Sequence, residues 1–126
     1  MQLTLHNTGP QAVHVLRWGT PFEGAWFAAF VALRRGDEAL AFSGPKMKRG
    51  EPEARDYLRL APGQRREASL DMALVFDLTR PGHYTVQPQV QLHDLLVGSA
   101  HSVPRPRAQH QGQALHCPPV SFDITP

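Results

Sequence analysis

Residues 80–92 read "RPGHYTVQPQVQL". Tyr84, Val86, Val90 and Leu92 share one parity and polar residues fill the positions between them, the period of a strand with one wet and one dry face. The stretch predicts a long strand, and Pro88 inside it predicts an edge position or a bulge, because proline cannot donate to a ladder. Gly82-His83-Tyr84 at its start has the form of a tyrosine corner, in which a phenol late in an immunoglobulin-like sandwich bonds back to nearby backbone. Tyr84 is therefore assigned a structural role. The cysteine that follows such a tyrosine in antibody domains is replaced here by Val86.

The same period runs outward from this strand. Leu3 and Leu5 alternate with Thr4 and His6 before the turn "NTGP". In the next segment Val13 and Val15 share one face, with Leu16 and Trp18 on the other. Phe27 to Leu33 is apolar at nearly every position and predicts a central strand buried on both faces. "RRGDE" then predicts a hairpin leading to Leu40 and Phe42, and its Arg-Gly-Asp reads as turn chemistry. Leu58 and Leu60 point one way before Pro62-Gly63. Ala68, Leu70 and Met72 alternate after it, and "ALVFDLTRPG" is a crossover with room for one helical turn. Val120, Phe122 and Ile124 make a last one-faced strand.

The 126 residues, with 12 prolines and 10 glycines, suit one domain of short strands and no long helix. The expected architecture is all-β: a single antiparallel, immunoglobulin-like sandwich of about seven to nine strands spanning residues 1–126, with a flexible loop at about 98–114. Open sandwiches have exposed edges, so a monomer or a dimer formed by edge-strand pairing is expected.

The net charge of +2 is carried by short, separated basic pairs such as Arg34-Arg35 and Arg65-Arg66, not by the dense stripe of a nucleic-acid binder. No apolar run has the length of a membrane span, and Met1–Pro10 lacks the basic and apolar regions of a signal peptide. The single cysteine, Cys117, cannot form an internal disulfide.

Catalytic patterns are missing. The nearest approach to the zinc-hydrolase pattern His-Glu-x-x-His is "HDLLV" at 93–97, which has Asp94 for the glutamate and Val97 for the second histidine. His110, His116 and Cys117 fit no standard zinc spacing. No glycine-rich phosphate loop or nucleophile elbow is present. The expectation is therefore no metal, no cofactor and no enzymatic activity.

What remains for function is loops on a rigid scaffold: residues 19–26, 43–56 and 98–114. Trp18 ends the second strand and is assigned to the structure. Phe22, Glu23, Trp26, Lys46, Lys48 and Arg49 are the candidate partner contacts, and Glu23 is expected to be dispensable for stability. The aromatic content of the first loop also admits an alternative, a module that binds a small ligand or carbohydrate.

Three segments carry a family resemblance. "LTLHNTGPQAVHVLRWGTPFEG" (3–24), "FSGPKMKRGEPEARDYLRLAPGQ" (42–64) and "LDMALVFDLTRPGHYTV" (70–86) resemble, in that order, the leading non-catalytic domain of the deuterolysin and peptidyl-Lys metalloendopeptidase group, the aspzincin proteases. Phe76-Asp77 stands at that group's Tyr-Asp place. The family's catalytic half carries His-Glu-x-x-His and a Gly-Thr-x-Asp ligand motif. Here Gly19-Thr20 is followed by Pro21-Phe22, so protease activity does not carry over. The resemblance implies a bacterial, pro-region-like domain, secreted or periplasmic, that assists folding, covers an active-site cleft or contacts substrate. Its implied partner is a protein, a metalloprotease foremost.

Overall fold

The computed structural model describes residues 1–45, 47–98 and 103–126. Among them are eleven strands and four single 3-10 turns, and every strand pairing is antiparallel. The strands are β1 (Gln2–His6), β2 (Val13–Leu16), β3 (Val31–Arg35), β4 (Glu38–Ala39), β5 (Tyr57–Leu60), β6 (Arg65–Ser69), β7 (Gly82–Pro88), β8 (Gln91–Leu92), β9 (Leu95–Val97), β10 (Gln113–Ala114) and β11 (Val120–Ile124). No helix among the described residues is long and apolar enough to cross a membrane.

One layer is the sheet β11-β7-β3-β4. The other is built on a broken ribbon. β1 pairs β6 and β2 pairs β5, with Gln2 opposite Ser69 at one end and Leu16 opposite Tyr57 at the other. The two pairs are one antiparallel ribbon interrupted where residues 7–12 face residues 61–64. Asn7 pins the interruption. Its amide donates to the carbonyls of Gln11 (2.8 Å) and Leu60 (3.0 Å), and its side-chain oxygen accepts from the Gly9 N–H (3.0 Å). Its backbone exchanges bonds with Gln64 and Gly63 across the gap. A buried amide is tolerated because each of these groups has a partner. β9 adds to this layer on the other side of β2.

The core lies between the layers. Leu3, Leu5, Val13 and Val15 meet Val31, Leu33, Tyr84, Val86, Phe122 and Ile124, all at the alternating positions the sequence marks. Tyr84 has no exposed surface. It stacks on Phe122 with ring centroids 5.1 Å apart, and its hydroxyl donates to the carbonyl of Arg80 four residues upstream (2.5 Å). This is the bond expected of it.

The antiparallel sandwich is thus as the alternation indicates, and three details differ. The strands number eleven because the long strand breaks after Pro88 into β7 and β8, and two further short strands, β9 and β10, form after it. Pro88 is the last residue of β7, which runs between β3 and β11 and is not an edge strand. β11 stops opposite Val86, so at Pro88 only β3 is alongside. Finally, β3 begins at Val31 and buries one face alone, with Ala32 and Arg34 exposed. The apolar residues before it are not strand but an aromatic plug.

Trp26, assigned to the surface from sequence, belongs to that plug. It is 4% exposed, lies 4.4 Å from Phe30 in a stacked pair, and meets Phe76 edge-on at 6.2 Å. Its indole N–H donates to the carbonyl of Asp71 (2.9 Å), which satisfies the one polar atom of the ring. It cannot touch a partner without leaving the core. Trp26→Ala should lower the unfolding free energy by about 3–5 kcal/mol. Urea denaturation measures this, and a loss within about 0.5 kcal/mol, the range of an ordinary surface substitution, would contradict the assignment.

Candidate functional site

The loop "WGTPFEG" leaves β2 and closes on itself. Thr20, wholly buried, donates from its hydroxyl to the Arg17 carbonyl (2.6 Å) and accepts from the Phe22 N–H (3.2 Å), capping the 3-10 turn Pro21–Glu23. Proline at the first position of that turn gives up an N–H the turn does not need. The turn sends Glu23 back, and its carboxylate accepts from the Gly19 N–H (2.7 Å). Gly19 sits at φ +68°, and a Cβ added there would lie 3.1 Å from His93 Nε2, so both the backbone and the space favour glycine.

Glu23 also meets the second loop. Its other carboxylate oxygen accepts from Arg49 (2.5 Å), and the Arg49 guanidinium lies over the rings of Trp18 (5.1 Å) and Phe27 (5.7 Å). Charge pairing and cation–π contact hold this arginine together. The third loop follows: Arg107 donates from its guanidinium to the Arg49 carbonyl (2.5 Å) and from its backbone N–H to Glu51 (2.9 Å).

These three loops enclose a cavity of about 390 Å³ lined by Trp18, Gly19, Phe27, Ala28, Met47, Arg49, His93, Arg107 and His110. Its size is that of a small-ligand or side-chain pocket. Among the described residues no acidic one lines it. Burial lowers the pKa of His93, and repulsion from His110, Arg49 and Arg107 lowers it further, against a weaker opposite pull from Glu23.

Behind the cavity stands a buried ion pair. Asp94, wholly buried, receives the Arg105 side chain on both carboxylate oxygens, the Tyr57 hydroxyl (2.7 Å) and the Gln111 N–H (3.0 Å). The Tyr57 oxygen in turn accepts from the Arg105 N–H (3.3 Å). His110 donates from Nε2 to the Arg105 carbonyl (2.7 Å), which places a proton on that nitrogen. Burial by itself pushes the Asp94 carboxyl up. Arg105, the Gln111 N–H and Tyr57 outweigh it and hold the group below its ordinary value. Burial, and then the bond to Asp94, push the Tyr57 phenol up to about 12. The network pins residues 105–111 of the segment expected to be loop against the outer face of β2, β5 and β9. There Leu16, Trp18, Tyr57 and Leu96 form a second apolar cluster with Val103 packed on it.

The sequence-derived candidates divide accordingly. Glu23 and Arg49 come together. Trp18 is buried, 8% exposed, and lines the cavity. Lys48 is exposed beside the cavity without lining it. Phe22 faces a different depression, with Arg17, Leu58 and Arg66. Lys46 lies outside the described residues. His93, Asp94, Arg105, Arg107, His110 and Tyr57 were missed. The one signal for Asp94 was an acid at the head of an apolar strand, in the stretch rejected as a zinc motif.

No family model matches the chain. It is 29% identical over 87 residues, 69% of its length, to an extracellular protease of Aeromonas hydrophila. The match covers 25% of that protein, so the chain spans far less than the relative's length.

Two outcomes follow for this site. Glu23→Ala, expected from sequence to be harmless, strands the Gly19 N–H and Arg49, and should cost about 1–3 kcal/mol by chemical denaturation. An unchanged midpoint would show that water replaces the carboxylate freely. The pH dependence has two signed parts. The folded Asp94 pKa is depressed, so its stabilisation is full above the unfolded value near 3.8 and lost as pH falls through the folded value. The Tyr57 pKa is raised from 10.0 to about 12, so its part is full below 10.0 and lost as pH rises toward 12. Denaturation midpoints should therefore drop at both extremes, and Tyr57→Phe should remove the alkaline part and, because the phenol also helps hold the Asp94 carboxyl down, reduce the acid part.

Proposed function

We propose that the chain is a non-enzymatic interaction domain associated with an extracellular metalloprotease, of the type that leads the aspzincin enzymes. The observation that carries the reading is the sequence match to about a quarter of an extracellular protease by a chain that lacks the His-Glu-x-x-His signature. In that setting it assists folding of a catalytic domain, covers its cleft or inhibits it, and works outside the cytoplasm. The Tyr84 hydroxyl bond to Arg80 supports the immunoglobulin-like form of the sandwich that such a module would use. The contact surface is the rim of the three-loop cavity, where Met47 is 47% exposed and Lys48 stands beside it.

The alternative of a carbohydrate-binding module is less well supported. Sugar stacking needs an open aromatic face, but Trp18 is buried and carries the Arg49 guanidinium over its ring.

The test is to mix the purified chain with aspzincin catalytic domains. We expect association at micromolar affinity, together with slowed cleavage or improved refolding of the enzyme. Lys48→Glu should weaken association if the cavity rim is the contact, and Phe22→Ala if the neighbouring depression is. Absence of association with every enzyme tried, at tens of micromolar, would remove the reading.

A further inference from the structure

We infer that the three-loop cavity is a carboxylate-binding pocket that takes the acidic side chain or the chain-terminal carboxylate of a polypeptide partner. The inference rests on the interaction reading above and gives it a chemistry.

The charges inside the cavity are unequal. Arg49 is balanced by Glu23. Arg105, just behind the wall, is balanced by Asp94. Arg107 has no ion pair for its guanidinium among the described residues: the side chain is hydrogen-bonded to the Arg49 carbonyl, Glu51 meets the backbone N–H and not the guanidinium, and the exposed remainder of its donors face solvent at the cavity, open to a ligand. His93 and His110 line the same space, and among the described residues no carboxylate does. His110 commits Nε2 to the Arg105 carbonyl. The His93 pKa is depressed first by burial and then by His110, Arg49 and Arg107, with Glu23 pulling the other way, so cationic groups stand around this imidazole.

The rest of the lining selects among anions. Trp18, Phe27, Ala28 and Met47 supply an apolar wall, which suits the body of an amino-acid residue and offers nothing to bare phosphate. A guanidinium fork matches a carboxylate with two parallel bonds. A peptidase setting makes such ligands available, since hydrolysis of a peptide bond leaves a new carboxylate on one fragment.

The experiment titrates His93 by NMR on the full chain, alone and with four probes. N-acetylphenylalanine carries a terminal carboxylate, N-acetylglutamic acid α-amide a side-chain carboxylate, N-acetylphenylalaninamide none, and inorganic phosphate is a bare anion. A carboxylate beside His93 favours the imidazolium, so at least one of the first two should raise its titration midpoint at millimolar concentration. Whichever does so identifies the source. Arg107→Gln should weaken that probe by about tenfold or more. Should that variant perturb the fold, Met47→Asp, which puts a negative charge at the exposed rim, should weaken the probe similarly.

The inference is overturned if neither carboxylate moves the midpoint, if the amide moves it equally, or if phosphate acts as strongly as either. Failure here with protease association intact removes the pocket chemistry alone. Loss of both removes the interaction reading.

Discussion

The open end of this sandwich is organised by one carboxylate that water cannot reach. A buried Asp94 is tolerable as an ion only if the protein replaces its hydration, and it does so with donors from three parts of the chain. Tyr57 comes from the ribbon strand β5, Arg105 from beyond β9, and Gln111 from the return toward β10. Stability alone does not demand such an arrangement, since apolar replacements of buried ion pairs are often as stable. What a carboxylate supplies is direction. Its oxygens accept along defined lines, so the segment from 105 to 111 has one way to lie across the sheet. A greasy contact between Val103 and the Leu16 cluster would leave it free to slide.

That placement sets the geometry of the cavity. Arg107 and His110 form one wall because Arg105 and Gln111, on either side of them, are fixed to Asp94. The facing wall is set separately, by the closed loop Gly19–Glu23 and the grip of Glu23 on Arg49. Each wall is held by a carboxylate that is fully used in holding it. The cavity is therefore preorganised, with few side chains left to order when something enters it.

The legibility of this arrangement from sequence is uneven for a physical reason. Burial in a strand leaves a period of two, so the core positions Val31, Leu33, Tyr84, Val86, Phe122 and Ile124 could be read directly, as could the phenol at the corner. Turn residues mark loops, and all three loops singled out as contact regions contribute to the cavity. Pairings between distant residues leave no such trace. Asp94 and Tyr57 stand 37 positions apart and Arg49 and Glu23 stand 26 apart, and only the folded register brings them together. Trp26 was misplaced because an aromatic beside a Gly/Pro loop has the same local signature whether it points out or plugs the core. The deciding contacts, Phe30, Phe76 and the Asp71 carbonyl, include two that lie far along the chain.

The short run Arg105-Pro106-Arg107 shows how one fold gives two like residues different work. Proline between them fixes an extended course, so neighbouring side chains need not share an environment. Arg105 turns inward to a carboxylate that is already in place, and its charge is spent on structure. Arg107 meets a backbone carbonyl and a cavity lined by imidazoles and aromatics, and among the described residues its guanidinium has no ion pair, Glu51 being bound to its backbone N–H. A cation so placed gains little from the folded chain itself, because a neutral carbonyl offsets only part of what the guanidinium can bind. The fold fixes its position through the Arg49 carbonyl and leaves its guanidinium without an ion pair among the described residues, which is the condition a recognition residue needs and a structural one does not.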